Sequence, residues 1–268
     1  MYETSYKRDL QVLGCTYLGN VAHSAKMSAS YRNGTMTYCV YMAPWNTSGH
    51  QVCGFGQNCH ESCLNYSGRE KLKEFTYGSN NQVMNARIRK TRLFYENRSV
   101  FMRIMIHEIK KYQRRAERMN MEFSVRINGT SDLSPILFKD ENGKNVLELF
   151  PNVQFYDYTK NPNRIKLMER YPNYDVTFSF DGYNWNECEK FLNRGGKVAV
   201  VFYGGLPKTY KGYEVGDANN YDMRYLDKKG TICGLHYHKT AHDYYISDSG
   251  KREFREPNTP FVIMANKL

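Results

Sequence analysis

The chain has 268 residues, with 38 Lys and Arg against 27 Asp and Glu, a net charge of +11 with neutral histidines, and 15% aromatic residues, including 23 Tyr and 14 Phe. That length supports a sizeable core, and the aromatic content excludes a disordered tail. Apolar runs such as residues 198–203 fall far short of the ~18 residues a membrane span needs, and the first residues lack an apolar secretory core. A soluble, cytoplasmic protein with no membrane partner is expected.

No low-complexity linker or internal repeat divides the sequence, so one domain over residues 1–268 is expected. Residues 1–36 read as a polar lead-in, loose or folded as a small hairpin. Residues 37–240 read as the core and 241–268 as a C-terminal extension. Residues 37–42 (Thr-Tyr-Cys-Val-Tyr-Met) are β-branched and aromatic and predict the first core strand. Residues 43–68 form a Gly-, Asn- and Ser-rich loop, too long for an ordinary connection. Residues 81–119 are helical in pattern: Leu93, Phe94, Phe101, Ile104, Met105, Ile109 and Tyr112 recur near helical spacing. A break is expected at Asn97-Arg98, with Ser99 as the cap. Strands follow at 123–128, 153–159, 175–180, 197–203 and 231–237. Helices are expected at 163–170 and at 184–194, the latter ended by Gly195-Gly196. Strand alternating with helix predicts an α/β fold with a parallel sheet, here a compact or incomplete (β/α) barrel with a Cys-rich loop after the first core strand. Its active site would lie at the C-terminal ends of the strands.

Charge is uneven along the chain. Residues 87–118 hold eleven Lys and Arg, opposed only by Glu96, Glu108 and Glu117. Such density on a helix suits phosphate binding, and Arg87, Arg89, Lys90 and Arg92 are the expected contacts to a nucleic-acid backbone, DNA foremost. A merely basic, soluble surface is the alternative.

The seven cysteines are Cys15, Cys39, Cys53, Cys59, Cys63, Cys188 and Cys233. An odd number without a secretion signal argues against a disulfide framework. Cys53, Cys59 and Cys63 cluster in the long loop and are the expected metal ligands. Zinc is one occupant, with His50, His60, His236 or His238 as a fourth ligand. A 4Fe-4S cluster held by the three cysteines is the other, in an arrangement similar to radical-SAM enzymes but spaced five and three residues apart rather than three and two. Free buried thiols are the structural alternative.

Polar residues follow each expected strand. Arg126, Asn128, Ser131 and Asp132 follow the second; Asp157, Tyr158 and Lys160 end the third; Gly204 and Gly205 follow the fifth; Asp217, Asp222 and Arg224 come later. Asp132 and Asp217 are the catalytic candidates, each of which also reads as a turn or helix-cap aspartate. The rest are candidate substrate contacts, with Arg224 equally readable as a structural ion pair. Tyr156, Tyr158, Phe180 and Tyr203 could sandwich a base pulled from its stack, or pack the core.

The segments Tyr41-Met-Ala-Pro44, Cys53-x5-Cys59-x3-Cys63-Leu-Asn, Ala86-Arg-Ile-Arg-Lys-Thr-Arg92, Arg126-Ile-Asn-Gly-Thr-Ser-Asp132, Phe155-Tyr-Asp-Tyr-Thr-Lys160 and Asp222-x-Arg224-x2-Asp227 together resemble an uncharacterised family of phages and mobile elements. The likeness spans residues 37–239. A more distant similarity is to tRNA-guanine transglycosylases and the related phage DNA 7-deazaguanine transglycosylases. Thr130-Ser131-Asp132, Gly204-Gly205-Leu206 and Asp217 stand in the order of that family's early aspartate, Gly-Gly-Leu segment and late nucleophilic aspartate. This resemblance implies a zinc-containing barrel that exchanges a base in DNA, with a modified base as small substrate. The zinc cysteines of that family lie toward the C-terminal end, whereas these lie near the front. The expected function is therefore phage-type base exchange. The alternatives are a non-enzymatic nucleic-acid-binding protein with a structural metal, or a radical-SAM-like enzyme.

Overall fold

The computed structural model describes residues 2–21, 25–56, 59, 60, 62, 63, 81–240 and 243–268. The chain opens with helix α1 (Tyr2–Leu13), the short strand β1 (Gly19–Asn20), α2 (Ala25–Arg32) and β2 (Thr35–Val40). The described part of residues 1–36 thus forms two helices, a short strand and the start of β2 rather than a hairpin. Tyr6, Leu10 and Leu13 give α1 one narrow apolar stripe that packs on the core, and the polar residues around it mask that stripe in the sequence.

All six residues of β2 are buried, as expected for a strand covered on both faces. Next come α3 (Gln82–Glu96) and α4 (Arg98–Arg118), broken at Asn97 as expected. The cap is Asn97 rather than Ser99: its side chain accepts from Val100 N. Then follow β3 (Glu122–Arg126), α5 (Val146–Leu149), β4 (Gln154–Thr159), α6 (Ile165–Arg170), β5 (Tyr174–Ser179), α7 (Trp185–Asn193) and β6 (Lys197–Tyr203). The antiparallel pair β7 (Thr209–Tyr210) and β8 (Tyr213–Asp217) precedes β9 (Ile232–His236). A hairpin of β10 (Tyr244–Ile246) and β11 (Arg252–Phe254) leads to β12 (Val262–Met264), which pairs in parallel with β6. The C-terminal segment therefore contributes a strand to the main sheet.

That sheet has ten strands in the order β1-β2-β3-β4-β5-β6-β9-β8-β7, with β12 beside β6. Every pairing in it is parallel except β1 with β2 and β7 with β8. The protein is a mixed α/β protein with a large, mostly parallel sheet. Among the described residues no strand pairing joins β7 or β8 back to β1 or β2. The gap is spanned by other contacts: Lys26 Nζ on α2 donates to Ala218 O at 2.9 Å, and Asp222 N donates to Ser30 Oγ at 3.2 Å.

Alternation along the strands separates two environments. Met36, Tyr38, Val40, Val125, Ile127 and Phe155 join Phe94, Phe101, Ile104 and Ile109 of the helices in one apolar cluster. The intervening residues face the other way. Cys39 lies opposite Arg126 in the register, Thr37 and Ser124 hydrogen-bond at 2.9 Å, and Tyr156 follows on β4. One face of the sheet is therefore oily and the other is polar yet buried. The parallel strands also bring their C-terminal ends to a single edge.

Candidate functional site

The loop after β2 covers that carboxyl edge. Its start is fixed to α3: Ala43 N donates to Thr91 Oγ1 at 2.9 Å, and Arg92 Nε to Ser48 O at 3.1 Å. The three clustered cysteines follow, with residues 57, 58, 61 and 64–68 of the expected loop outside the described residues. Cys53 Sγ sits between Trp45 N at 3.5 Å and Thr130 O at 4.0 Å. Cys59 Sγ lies 3.2 Å from Gly56 O. A Cβ placed on Gly56 would stand 3.3 Å from Cys59 Sγ and 3.5 Å from Cys53 Cβ, so this glycine leaves the two cysteines room to approach. Burial pushes the Cys53 thiol up to about 12; the Trp45 N–H opposes this, while Cys63, Asp132 and Cys59 add to it. The structure thus brings Cys53, Cys59 and Cys63 into one electrostatic neighbourhood beside Asp132. Three soft sulfur donors suit zinc or an iron–sulfur cluster. Among the described residues no group of three His, Cys, Asp or Glu stands at metal-holding geometry. Of the expected fourth ligands, His50 stacks on Tyr95 at 4.2 Å and His60 lies against Trp45 at 5.0 Å, while His236 and His238 lie at and just past the end of β9.

Asp132 belongs to a second group, centred on Arg164. This guanidinium is 1% exposed. It pairs with Asp132 at 2.8 Å and Asp157 at 2.7 Å, and bonds Leu133 O and the Tyr174 hydroxyl. Asp132 also accepts from Thr159 Oγ1 and Lys160 N. Asp157 accepts from the backbone N–H and side-chain amide of Asn128. Ser131 Oγ and Leu133 N both donate to Asn128 Oδ1. Burial raises the Asp157 carboxyl, with Arg164 and Asn128 opposing. Asn128, Ser131, Asp132, Asp157 and the Lys160 backbone are therefore one network tying the ends of β3 and β4 together. The Lys160 ammonium points away, 4.9 Å over the Phe261 ring.

A third group fills the polar face. Asp222, 2% exposed, accepts from Arg126 Nη1 at 3.1 and 3.3 Å and from Tyr156 OH at 2.7 Å. Burial works against its charge, yet Arg126, Tyr156 and Lys26 hold its carboxyl below the usual range. Arg126 lies over the Tyr158 ring at 4.9 Å. Arg224 stacks on Tyr221 at 4.5 Å, pairs with Asp227 at 2.9 Å and bonds Tyr221 O. The buried Nε atoms of Arg126 and Arg224 have no hydrogen-bond acceptor among the described residues. Lys26 reaches this group as well. Burial lowers its ammonium to about 8, against the pull of Asp222 and with the push of Arg224 and Arg126.

The remaining candidates stand apart. Asp217 is exposed at the end of β8 and accepts from Asn219 N, Asn219 Nδ2 and Asn220 Nδ2. It lines a cleft of about 160 Å³ with Tyr221, Asp227 and Cys233. Among the described residues it shares no hydrogen-bond partner with Asp132. Its carboxyl is pulled below the usual range: burial raises it, but the Asn219 hydrogen bonds outweigh that. Gly204 and Gly205 are exposed with φ +89° and +124°, conformations that account for both glycines as a turn. Of the four expected backbone contacts, Lys90 is buried and Arg87, Arg89 and Arg92 are half-buried. Tyr156 and Phe180 are buried, and Tyr203 packs against Tyr237 and Phe254. Two functional groups escape a reading of the sequence. Lys26 lies in the segment that reads as a lead-in. Arg164 is a lone charge in Asn-Pro-Asn-Arg whose burial no spacing betrays.

The fold defines a mixed α/β protein with a large, mostly parallel sheet. The family described as "Gene product 88" matches residues 16–254, and the chain belongs to that family. No curated protein and no solved structure matches it.

Proposed function

We propose that this protein is a radical-SAM-like iron–sulfur enzyme on an incomplete (β/α) barrel, with Cys53, Cys59 and Cys63 as ligands. What supports this reading is the placement of Cys53 and Cys59 on either side of Gly56, with Cys63 near Cys53, in the segment that follows the first parallel strand. Zinc sites built for structure take four ligands, and the usual catalytic sets contain histidine, so an all-thiolate trio favours the cluster. When bound, such a cluster supplies single electrons to a substrate held nearby. The chain's own residues would form the chamber beneath it. Arg126 and Arg224 offer their free buried Nε donors to a polar substrate, Asp222 fixes Arg126 in place, and Lys26 can donate or accept a proton near neutral pH.

Base exchange by Asp217 with Asp132 as its partner has less support. Asp132 is spent on Arg164, and Asp217 sits in an exposed turn of its own. A nucleic-acid partner keeps one supporting observation: Lys110, Lys111, Arg114, Arg115 and Arg118 are all exposed on α4.

Anaerobic purification followed by iron, sulfide and zinc analysis tests the reading. Brown protein with several irons per chain is expected, lost on changing any of the three cysteines to Ser. A colourless protein with one zinc per chain would return the site to a structural or hydrolytic metal.

A further inference from the structure

Three side chains on the polar face of the sheet have hydrogen-bond donors to spare. Arg126 spends Nη1 on Asp222. Its Nε has no acceptor, and its Nη2 makes no hydrogen bond among the described residues. These two N–H groups form the side edge of the guanidinium, which grips a planar oxyanion through two parallel bonds. Arg103 shows that grip in the same chain: its Nε and Nη2 bond the two oxygens of Asp9 at 3.0 and 2.8 Å. On Arg126 no described protein group takes that edge. The Arg126 side chain is 17% exposed against 3% for Asp222, so of this pair the arginine meets the open side of the chamber. Beside it lies Tyr158, its ring 4.9 Å from the guanidinium. The Tyr158 hydroxyl bonds nothing among the described residues, and burial keeps it protonated against the pull of Arg224 and Arg126. Lys26 is the third. One of its N–H groups goes to Ala218 O, and it makes no ion pair among the described residues. Of the two carboxylates whose charge reaches it, Asp222 is taken by Arg126 and Tyr156, and Asp217 by Asn219 and Asn220.

We infer that the substrate of this chamber is a small carboxylic acid, its carboxylate seated on the side edge of Arg126 and the Tyr158 hydroxyl, with Lys26 as counter-ion. The charges decide the class. Asp222 balances Arg126 and Asp227 balances Arg224, which leaves Lys26 as the one surplus cation. A carboxylate matches that single charge, and its plane matches the fork of the guanidinium. A phosphomonoester dianion would exceed the surplus by one charge. A phosphodiester would bring bulk on two sides of its charged oxygens to an arginine that is mostly covered. The inference rests on the chamber assigned to substrate above, and it holds whichever metal the cysteines take.

Ligand-observed NMR on the full chain tests this, with monocarboxylic acids from acetate to benzoate, each beside its neutral amide. The measurement belongs near neutral pH, below the value of about 8 for Lys26, so that the ammonium is charged. At least one acid should bind, and its amide should not. Arg126→Lys keeps the charge that Asp222 needs and loses the fork. Tyr158→Phe keeps the ring and loses the hydroxyl, and Lys26→Met loses the surplus charge. Each should weaken the acid about tenfold, the scale of one hydrogen bond to a charged group. Lys26→Met breaks no ion pair and should not lower the melting temperature, so it and Tyr158→Phe keep the test readable if Arg126→Lys folds poorly. Amides that bind as well as their acids would overturn the inference. So would no binding of any acid, unchanged affinity in both Tyr158→Phe and Lys26→Met, or tighter binding of inorganic phosphate or methyl phosphate. Iron analysis of the same preparations separates the two readings. An acid bound by colourless, iron-free protein would sink the cluster and leave the carboxylate site standing; brown, iron-loaded protein that binds no acid would do the reverse.

Discussion

Two consecutive helices share the basic run, and the fold treats their charges in opposite ways. On α3, Arg87, Arg89, Lys90 and Arg92 are all buried or half-buried; on α4, Lys110, Lys111, Arg114, Arg115 and Arg118 are all exposed. The difference lies in how many sides each helix has covered. The loop after β2 wraps α3 through Ala43, Ser48 and Gln51, the last accepting from Tyr95 OH at 3.2 Å. Helix α4 buries one side, with Val100, Phe101, Met102, Ile104, Met105, Glu108, Ile109 and Ala116, and leaves its basic face in water. Charge density along a sequence therefore does not reveal which charges meet a partner. Position matters too. The end of α4 turns directly into the start of β3, so its cations sit at the edge opposite the cysteines. A nucleic acid gripped there would not present a base to the carboxyl edge without spanning the sheet.

Interior cations should be indispensable and displayed ones dispensable. The largest effect is expected at Arg164. Arg164→Met would leave Asp132 and Asp157 buried without their counter-ion and should cost about 3–5 kcal/mol in urea denaturation. A loss under about 1 kcal/mol would show the network to be slack and would reopen Asp132 as a catalytic group. Replacing Arg114, Arg115 and Arg118 together with Gln should instead shift stability by about 0.5 kcal/mol per site or less. If α4 holds nucleic acid, the same change should lower the salt dependence of binding by roughly two to three log–log units, about 0.9 for each phosphate no longer neutralised. An unchanged slope would remove α4 as the binding surface.

Much of the fold is legible in the sequence because its signals are local. β6 has the expected bounds, β4, β5 and β9 lie within one residue of expectation, and the break at Asn97 follows from a side chain that caps. The two N-terminal helices send no such signal, because their apolar stripes are short and set among Ser, Lys and Tyr. β8 is silent because Tyr-Glu-Val-Gly-Asp lacks an apolar run and is a half-exposed strand near the sheet margin. In the candidate site, the nearness of Cys53 and Cys59 follows from their spacing around Gly56. The meeting of Arg126, Tyr156 and Asp222 cannot, since the chain separates Arg126 from Asp222 by 96 positions. Strand ends that share one edge suggest pairing Asp132 with Asp217. The rule holds but is coarse: the edge of so wide a parallel sheet has room for several separate groups.

Lys26 sharpens the contrast by pH. Its folded value of about 8 lies below the ordinary 10.5, so between these limits the unfolded chain binds more protons and stability should rise with pH. The difference between wild type and Lys26→Met isolates this limb from the tyrosines and thiols that also titrate there. In the variant the rise should vanish. A wild-type curve parallel to the variant between pH 8 and 10.5 would mean that Lys26 is solvated like a surface lysine.

The smallest effect is expected at Asp217. Its carboxylate is exposed and, among the described residues, bonded to Asn219 and Asn220 within its own turn, and the Asn219 bonds, with a smaller pull from His236, outweigh its burial. A group held ionised by a local turn is poorly placed to shuttle protons, and its neighbours Asp227 and Glu214 in the shallow cleft offer a second negative lining rather than a partner acid. Asp217→Asn keeps the acceptor for Asn219 N, so stability should change by about 0.5 kcal/mol or less. Metal content should match wild type. Base exchange makes the opposite demand, because an amide cannot attack a sugar carbon. If wild-type protein released a base from DNA and Asp217→Asn abolished that release with the fold intact, the exposed turn would hold the nucleophile, and the cysteines over the carboxyl edge would belong to structure rather than to chemistry.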